Sequence, residues 1–407
     1  MISQFDREID RSRTNALKWE IIQDRNDPEK WIETDAFFGR NRILPMWVAD
    51  MDLSCPLAVQ VALEKRARHP IYGYTLVDDS YRQAVCAWMD RRHGWKADAK
   101  WLVTTPGVIP ALHVLVRAFS TAGQKILVQR PVYYPFFSAI ETNNRRIVSN
   151  SLVLQNGRYS MDFDDLERKA ADPEVAMAIL CSPHNPVARV WHEEEVRRFA
   201  EICLANRVLV VSDEIHGDLI YPGRRFVPIG LLEEELVRNC VVCTAPSKTF
   251  NLAGLQTANI FVPDGKLRNR FRRELKTIGY IGPSPFGAEA CKAAYNEGEQ
   301  WLENLLLHLD SNKRLMKRQF SERIPYIPLI DPQGTYLIWF DCRALGLDVL
   351  ELRTLMLEKA RVFLDEGYIF GQEGEGFERI NIACPQSVLQ EALDRIVASI
   401  QAVWRHA

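Results

Sequence analysis

The runs VAMAIL (175–180) and VLVV (208–211), the second leading into Ser212 and Asp213, are apolar at consecutive residues rather than at every second one. Strands of that kind need cover on both faces, which restricts the chain to a sheet lying between helix layers. The surrounding pattern agrees. Strands are predicted near 101–105, 125–129, 146–154, 175–181, 207–212, 239–244 and 257–262. Helices are predicted near 107–119, 134–144, 162–171 and 192–206. Alternation of that length means a doubly wound α/β domain with a mainly parallel sheet, which binds ligands at the carboxyl ends of its strands.

Upstream, residues 1–52 read as an extended arm, since Pro45 and Pro56 forbid helix across the ends of RILPMWVADMD (42–52). Helices fit 56–69, with proline in the first turn, and 78–94, with an aspartate cap and a stop at Gly94. After Pro283 and Pro285 the rhythm changes. Helices near 286–296 and 299–323 lead to a strand at 335–341 and a helix at 348–360. Short strands at 362–365 and 377–382 and a helix at 386–405 follow, which makes a smaller α+β unit. A chain of 407 residues has room for two such domains. The expected division is an arm 1–52 joining the small domain, a large domain 53–284 and a small domain 285–407.

A net charge of −2 gives no electrostatic footprint for nucleic acid or an anionic membrane. No apolar run approaches the ~18 residues of a membrane span. The N-terminal MISQFDREIDRSRTN is charged and has no apolar signal core. Nine scattered cysteines, an odd number, suit reduced thiols, and the expected location is the cytoplasm. Cys240 and Cys243 form a CxxC inside a valine run with no second pair, so they are expected to be core thiols rather than metal ligands. No metal site is expected.

Lys248 sits in a polar turn between the runs 239–244 and 257–262, flanked by Ser247 and Thr249. Most of the 51 lysines and arginines are solvated, but a lysine closing a buried strand is placed for nucleophilic chemistry. Desolvation favours the neutral amine that Schiff-base formation requires. Asp213 ends the strand 207–212 and could hold a cationic ring nitrogen or simply cap a helix over 214–220. His216, one turn on, could pack against the same ligand or be a satisfied core histidine. Asn185 follows the strand ending at Cys181 and could bond a phenolic oxygen, although Asn-Pro is also a plain turn signal. Tyr133 offers a ring for stacking, with Tyr134 the competing candidate. Gly107 and Val108 open a helix whose N–H groups could bind phosphate, and an ordinary strand–helix turn would look the same. Arg379 begins a strand of the second unit, and a guanidinium aimed at the cleft between domains would clamp a carboxylate. The glycines of GQEGEG (371–376) have the wrong spacing for a dinucleotide loop, and a nicotinamide oxidoreductase is rejected because no glycine fingerprint follows the first strand.

Taken in order, ten segments resemble the fold type I pyridoxal-phosphate enzymes, the aspartate-aminotransferase fold, and within them the MalY/PatB cystathionine β-lyase family. They are KWE (18–20), LPMWVADMD (44–52), YGYT (72–75), TPGVIPAL (105–112), PVYYPF (131–136), CSPHNPVARVW (181–191), SDEIHGD (212–218), APSKTFNLAGLQ (245–256), GTYLIWFD (334–341) and RINIACP (379–385). The resemblance implies that Lys248 holds pyridoxal 5′-phosphate, Asp213 pairs with its ring nitrogen and Asn185 contacts its hydroxyl. Tyr133 would stack on the ring, and Gly107, Val108 and Ser247 would hold the phosphate. Tyr74 would reach the phosphate of a neighbouring subunit in a homodimer, and Arg379 would take the substrate carboxylate. Three positions depart from the wider pattern. His216 stands where other branches have tyrosine. Gln256 replaces the phosphate-binding arginine, as in the lyase branch. Ala188 replaces glycine in NPVGRVW, which puts the loop after Asn185 and the substrate range in question. The implied reaction is β-elimination from cystathionine or a related cysteine conjugate, giving a thiol, pyruvate and ammonia. The alternatives are amino-group exchange with a 2-oxo acid and a non-catalytic binding role, the latter opposed by an intact Lys248, Asp213, Asn185 and Arg379.

Overall fold

The computed structural model describes residues 4–23, 31–33 and 42–404. Three stretches of the expected arm, 1–3, 24–30 and 34–41, therefore lie outside the described residues. The chain forms two compact units, one of residues 55–306 with 333–335, the other of 1–54, 307–332 and 336–407.

The first unit is built on seven strands: β1 (Leu102–Thr105), β2 (Lys125–Val128), β3 (Arg146–Ser149), β4 (Val175–Cys181), β5 (Leu209–Asp213), β6 (Cys240–Thr244) and β7 (Ala258–Phe261). Their order is β1-β7-β6-β5-β4-β2-β3. β7 is antiparallel to both of its neighbours and every other pairing is parallel, so the carboxyl ends of all strands except β7 share one edge. The continuous apolarity has its expected cause. Val211 lies between Ile179 and Val241 in register, and all three are fully buried. Cys240 and Cys243 are likewise buried in β6.

Helices α1 (Leu57–Arg68), α2 (Asp79–His93), α3 (Val108–Phe119), α4 (Pro135–Glu141), α5 (Phe163–Ala170) and α6 (Glu193–Ala205) fall where expected. In α2, Asp78 accepts from Tyr81 N at the start and Gly94 ends the helix at φ 72°. Three features differ from expectation. The predicted strand 146–154 is broken: after β3 the chain turns into a hairpin, Val153–Gln155 against Arg158–Ser160. The turn is Asn156-Gly157 with both φ positive, the backbone that hairpin twist requires. A helix absent from the sequence reading, α7 (Gly265–Thr277), is capped by Asp264 and packs on α3. It buries only Phe271 and Leu275 among six cations, too thin an apolar stripe to stand out. Lastly, α8 (Pro285–Glu297) packs against α1 and α2 through small side chains such as Ala290, Cys291 and Ala294. The expected boundary at 284/285 thus falls inside this unit, and the division lies within α9 (Glu299–Arg323).

The second unit carries a three-stranded antiparallel sheet of β8 (Leu337–Asp341), β9 (Asp365–Glu366) and β10 (Phe377–Asn381), with β10 in the middle. Helix α10 (Val349–Thr354) starts in an Asp348/Glu351 capping box and widens into a π turn over Leu355–Lys359. Helix α11 (Gln386–Trp404) buries Leu389, Leu393, Ile396 and Ile400, a stripe at helical spacing. The N-terminal motifs meet here. Asp52, 7 % exposed, accepts from Lys18 Nζ (2.7 Å), Trp19 Nε1 (2.8 Å) and Arg11 (2.8 Å). Asp50 is paired with Arg11 at 2.9 Å.

Candidate active site

Lys248 lies on a one-turn helix, Pro246–Thr249, immediately after β6, and is half-buried. Pro246 leads the turn, and its carbonyl accepts from Phe250 N at 2.9 Å while Leu252 N bonds Ser247 O at 2.9 Å. Thr249 Oγ1 donates to Asp218 Oδ2 at 2.7 Å. That carboxylate also accepts from Trp88 Nε1 at 3.1 Å and meets His93 Nε2 at 2.8 Å. Burial raises the Asp218 carboxyl, but His93 and Thr249 pull harder, and it stays below the usual range. Sequence reasoning missed this clasp. SDEIHGD contains the acid, but its partners come from α2 and from beyond β6, so no local pattern reports them.

Asp213 closes β5 in register between Cys181 and Cys243. Burial in this dry surround pushes its carboxyl up to about 7, against the pull of the Ile215 N–H and of Lys248. Lys248 is thus close enough to be felt by the acid. The helix-cap reading of Asp213 does not hold, because 215–218 is a turn and Oδ1 accepts from Ile215 N at 3.2 Å, an Asx-type bond. His216 is buried in that turn at 4 % exposure. Glu214 faces away into the core, where Oε1 accepts from Ser212 Oγ and Ile229 N, both at 2.9 Å. Burial pushes it up to about 8.

Asn185, 3 % exposed, follows β4, its N–H directed at Cys181 Sγ (3.4 Å) and its carbonyl accepting from Tyr133 N (3.1 Å). That bond ties the loop after β4 to the loop after β2. Tyr133 is half-buried and packs on the core, whereas Tyr134 is 37 % exposed. Gly107 precedes α3 in extended backbone, and Thr105 Oγ1 bonds its carbonyl at 2.9 Å. A Cβ there would stand 3.3 Å from Pro110 Cδ, so the turn is already tight. The first-turn N–H groups of α3 have no acceptor within the helix. Ala188 takes φ 53°, the left-handed backbone glycine adopts freely, and its carbonyl accepts from Gln333 N at 2.9 Å.

The sheet edge therefore gathers Gly107–Val108, Tyr133, Asn185, Asp213, His216, Ser247 and Lys248. Tyr74 stands apart, 91 % exposed on the segment 71–76 of the same unit. Arg379 belongs to the other unit, on β10, and is 2 % exposed. Its NH2 group donates to Asp365 Oδ2 and, at 2.9 Å, to Trp47 O. Burial raises the Asp365 carboxyl against the pull of Arg379.

Residues 48–396 match the family model for class I and II aminotransferases. The chain is 41 % identical over 396 residues to cystathionine beta-lyase PatB of Bacillus subtilis, covering 97 % of this chain and 99 % of that one. It is 30 % identical to protein MalY of Escherichia coli over 98 % and 99 % of the two chains. The crystal structure of cystalysin from Treponema denticola, which contains pyridoxal 5′-phosphate, superposes with a TM-score of 0.92 at 37 % identity, covering 99 % of this chain and all of that one. With its mainly parallel sheet and its lysine on the turn after β6, the chain belongs to the class I and II aminotransferase family, on the branch that holds PatB and MalY.

Proposed function

We propose that this protein is a pyridoxal-phosphate-dependent carbon–sulfur β-lyase that cleaves cystathionine or a related cysteine S-conjugate to a thiol, pyruvate and ammonia. The observation that carries the reading is the pair Asp213–Lys248 on adjacent strand ends. A dry acid pushed up to about 7 gains from a cation placed beside it, and the cofactor's ring nitrogen is such a cation. The other residues fit as well: Lys248 for the aldehyde, Asn185 for the ring hydroxyl, Tyr133 for the ring face, His216 beside it. Gly107, Val108 and Ser247 suit the phosphate, since a helix start with a tight glycine turn binds an anion through its amides.

When bound, the cofactor supplies an electron sink conjugated to the substrate's α-carbon. Arg379 holds the α-carboxylate and so fixes which bond at that carbon is cleaved. Lys248 Nζ takes the α-proton, and Asp218, by holding Thr249, keeps that amine on its turn. Asp213 keeps the ring nitrogen protonated. Loss of the β-thiolate completes the elimination, and one water hydrolyses the remaining three-carbon fragment to pyruvate and ammonia. The 41 % identity to a protein named cystathionine beta-lyase supports this outcome over amino-group exchange.

The working form in this reading is a cytoplasmic homodimer. Leu57, Ile71, Tyr72, Leu76 and Ile281 are each more than half exposed, and a groove of about 1050 Å³ opens between α1 and α8 beside them. Apolar exposure on that scale marks a protein interface, and Tyr74 would cross it to the partner's phosphate site. Reduced cysteines and the lack, among the described residues, of a helix long and apolar enough to cross a membrane fit that location.

The test is pyruvate and free thiol measured together from L-cystathionine with added cofactor. Wild type should yield both in equal amounts, and Lys248→Ala should lose at least about 10³-fold in kcat. Glutamate consumption with a 2-oxo acid and no pyruvate would instead identify an aminotransferase.

A further inference from the structure

The guanidinium of Arg379 is already engaged by an acid. β9 and β10 are antiparallel with Asp365 directly opposite Arg379, so the two side chains leave the sheet on the same face. Arg379 NH2 donates to Asp365 Oδ2 and to Trp47 O, which commits both of its hydrogens. Phe370 covers the guanidinium, with its ring centre 4.9 Å from Cζ. Asp365 and Arg379 are 4 % and 2 % exposed, so water screens neither charge.

The geometry points to Asp365 as the residue that sets, by weakening it, the affinity of Arg379 for the substrate's α-carboxylate. A carboxylate arriving at Arg379 meets a guanidinium whose charge is largely balanced within its own unit. It must share the cation with an acid that cannot leave, because β9 fixes it one strand away. Asp365 therefore keeps ground-state binding loose and favours substrates that bring further contacts beyond the carboxylate. The inference rests on Arg379 being the carboxylate clamp proposed above.

Asp365→Asn separates charge from shape, since the amide oxygen still accepts from NH2. Two probes read the clamp in the holoenzyme: L-alanine, which carries the carboxylate but no β-leaving group, and ethylamine, the same molecule without the carboxylate. Binding of each is followed by the visible spectrum of the bound cofactor. Asp365→Asn should tighten L-alanine by about tenfold, lower the KM for L-cystathionine in parallel and leave ethylamine unchanged. Asp365→Ser, which also removes the charge, should shift L-alanine in the same direction. An unchanged or weaker Kd for L-alanine in the folded Asn variant overturns the inference. Arg379→Lys keeps the two questions apart. If it leaves the preference for L-alanine over ethylamine intact, the clamp reading itself fails. If it abolishes that preference while Asp365→Asn changes nothing, only the role of Asp365 fails.

Discussion

Asp213 shows how a binding residue loads strain onto the empty protein. An unfolded chain releases its aspartate protons near pH 3.9, but the folded, cofactor-free protein keeps this one until about pH 7. Between those values the folded state binds a proton that the unfolded state has lost, so stability falls as pH rises. Glu214 extends the slope to about pH 8. Asp213→Asn removes the lower part. Thermal melts of cofactor-free protein should show the variant gaining on wild type between pH 4 and pH 7, while its affinity for the cofactor drops. An identical pH slope in the two proteins would refute the buried-acid account. Ala188 is a second local cost. An alanine held at φ 53° pays about 1 kcal/mol that glycine does not. Ala188→Gly should raise stability by roughly that amount in urea melts, less the entropy glycine adds to the unfolded chain. Lys248, Asp213 and Asn185 could be singled out from the sequence because each ends or closely follows a recognisable strand. The clasp on Thr249 and the pairing of Arg379 could not, because both join residues far apart in the chain.

Among the elements, the buried strands were the most legible, since continuous apolarity has few explanations. The one-turn helix at Pro246–Thr249 is too short to hold itself, because a single turn cannot repay its own nucleation. Its geometry comes from the hydroxyl of Thr249 on Asp218. Thr249→Val keeps the shape and removes that bond. It should lower kcat for L-cystathionine several-fold and displace the pH midpoint of the bound cofactor's absorption, at a stability cost of about 1 kcal/mol. Thr249→Ser should restore both the rate and the midpoint. A Val variant with a normal spectrum and rate would leave Asp218 a packing role only. Helix α7 escaped the sequence reading for the opposite reason. Its two buried side chains decide its position, and its six cations hide them.

At the scale of the whole molecule, the exposed apolar segment predicts its own cover. On the proposed homodimer, Leu76→Asp and Ile281→Asp, both at exposed positions, should give a monomer in sedimentation and release the cofactor with it. Tyr74→Phe should stay dimeric and bind the cofactor more weakly. A wild-type monomer with full activity would refute the shared site. The sequence conveyed two domains and the layered sheet, but not how the chain divides between them. Helix α8 carries no mark of its unit in its own composition, since small residues pack equally well against either neighbour.

The N-terminal arm has a consequence for synthesis. Its partners lie at the other end of the chain: Met46 N bonds Phe363 O, Asp52 N bonds Ala383 O and Arg42 pairs with Glu391. On the ribosome the arm emerges before the unit of residues 55–306 and its partners emerge after it. The unit of residues 55–306 can begin to close while translation continues, but the unit that holds Arg379 waits for α11. A chain cut short before Phe363 leaves the arm without either backbone partner, whatever the state of the sheet between.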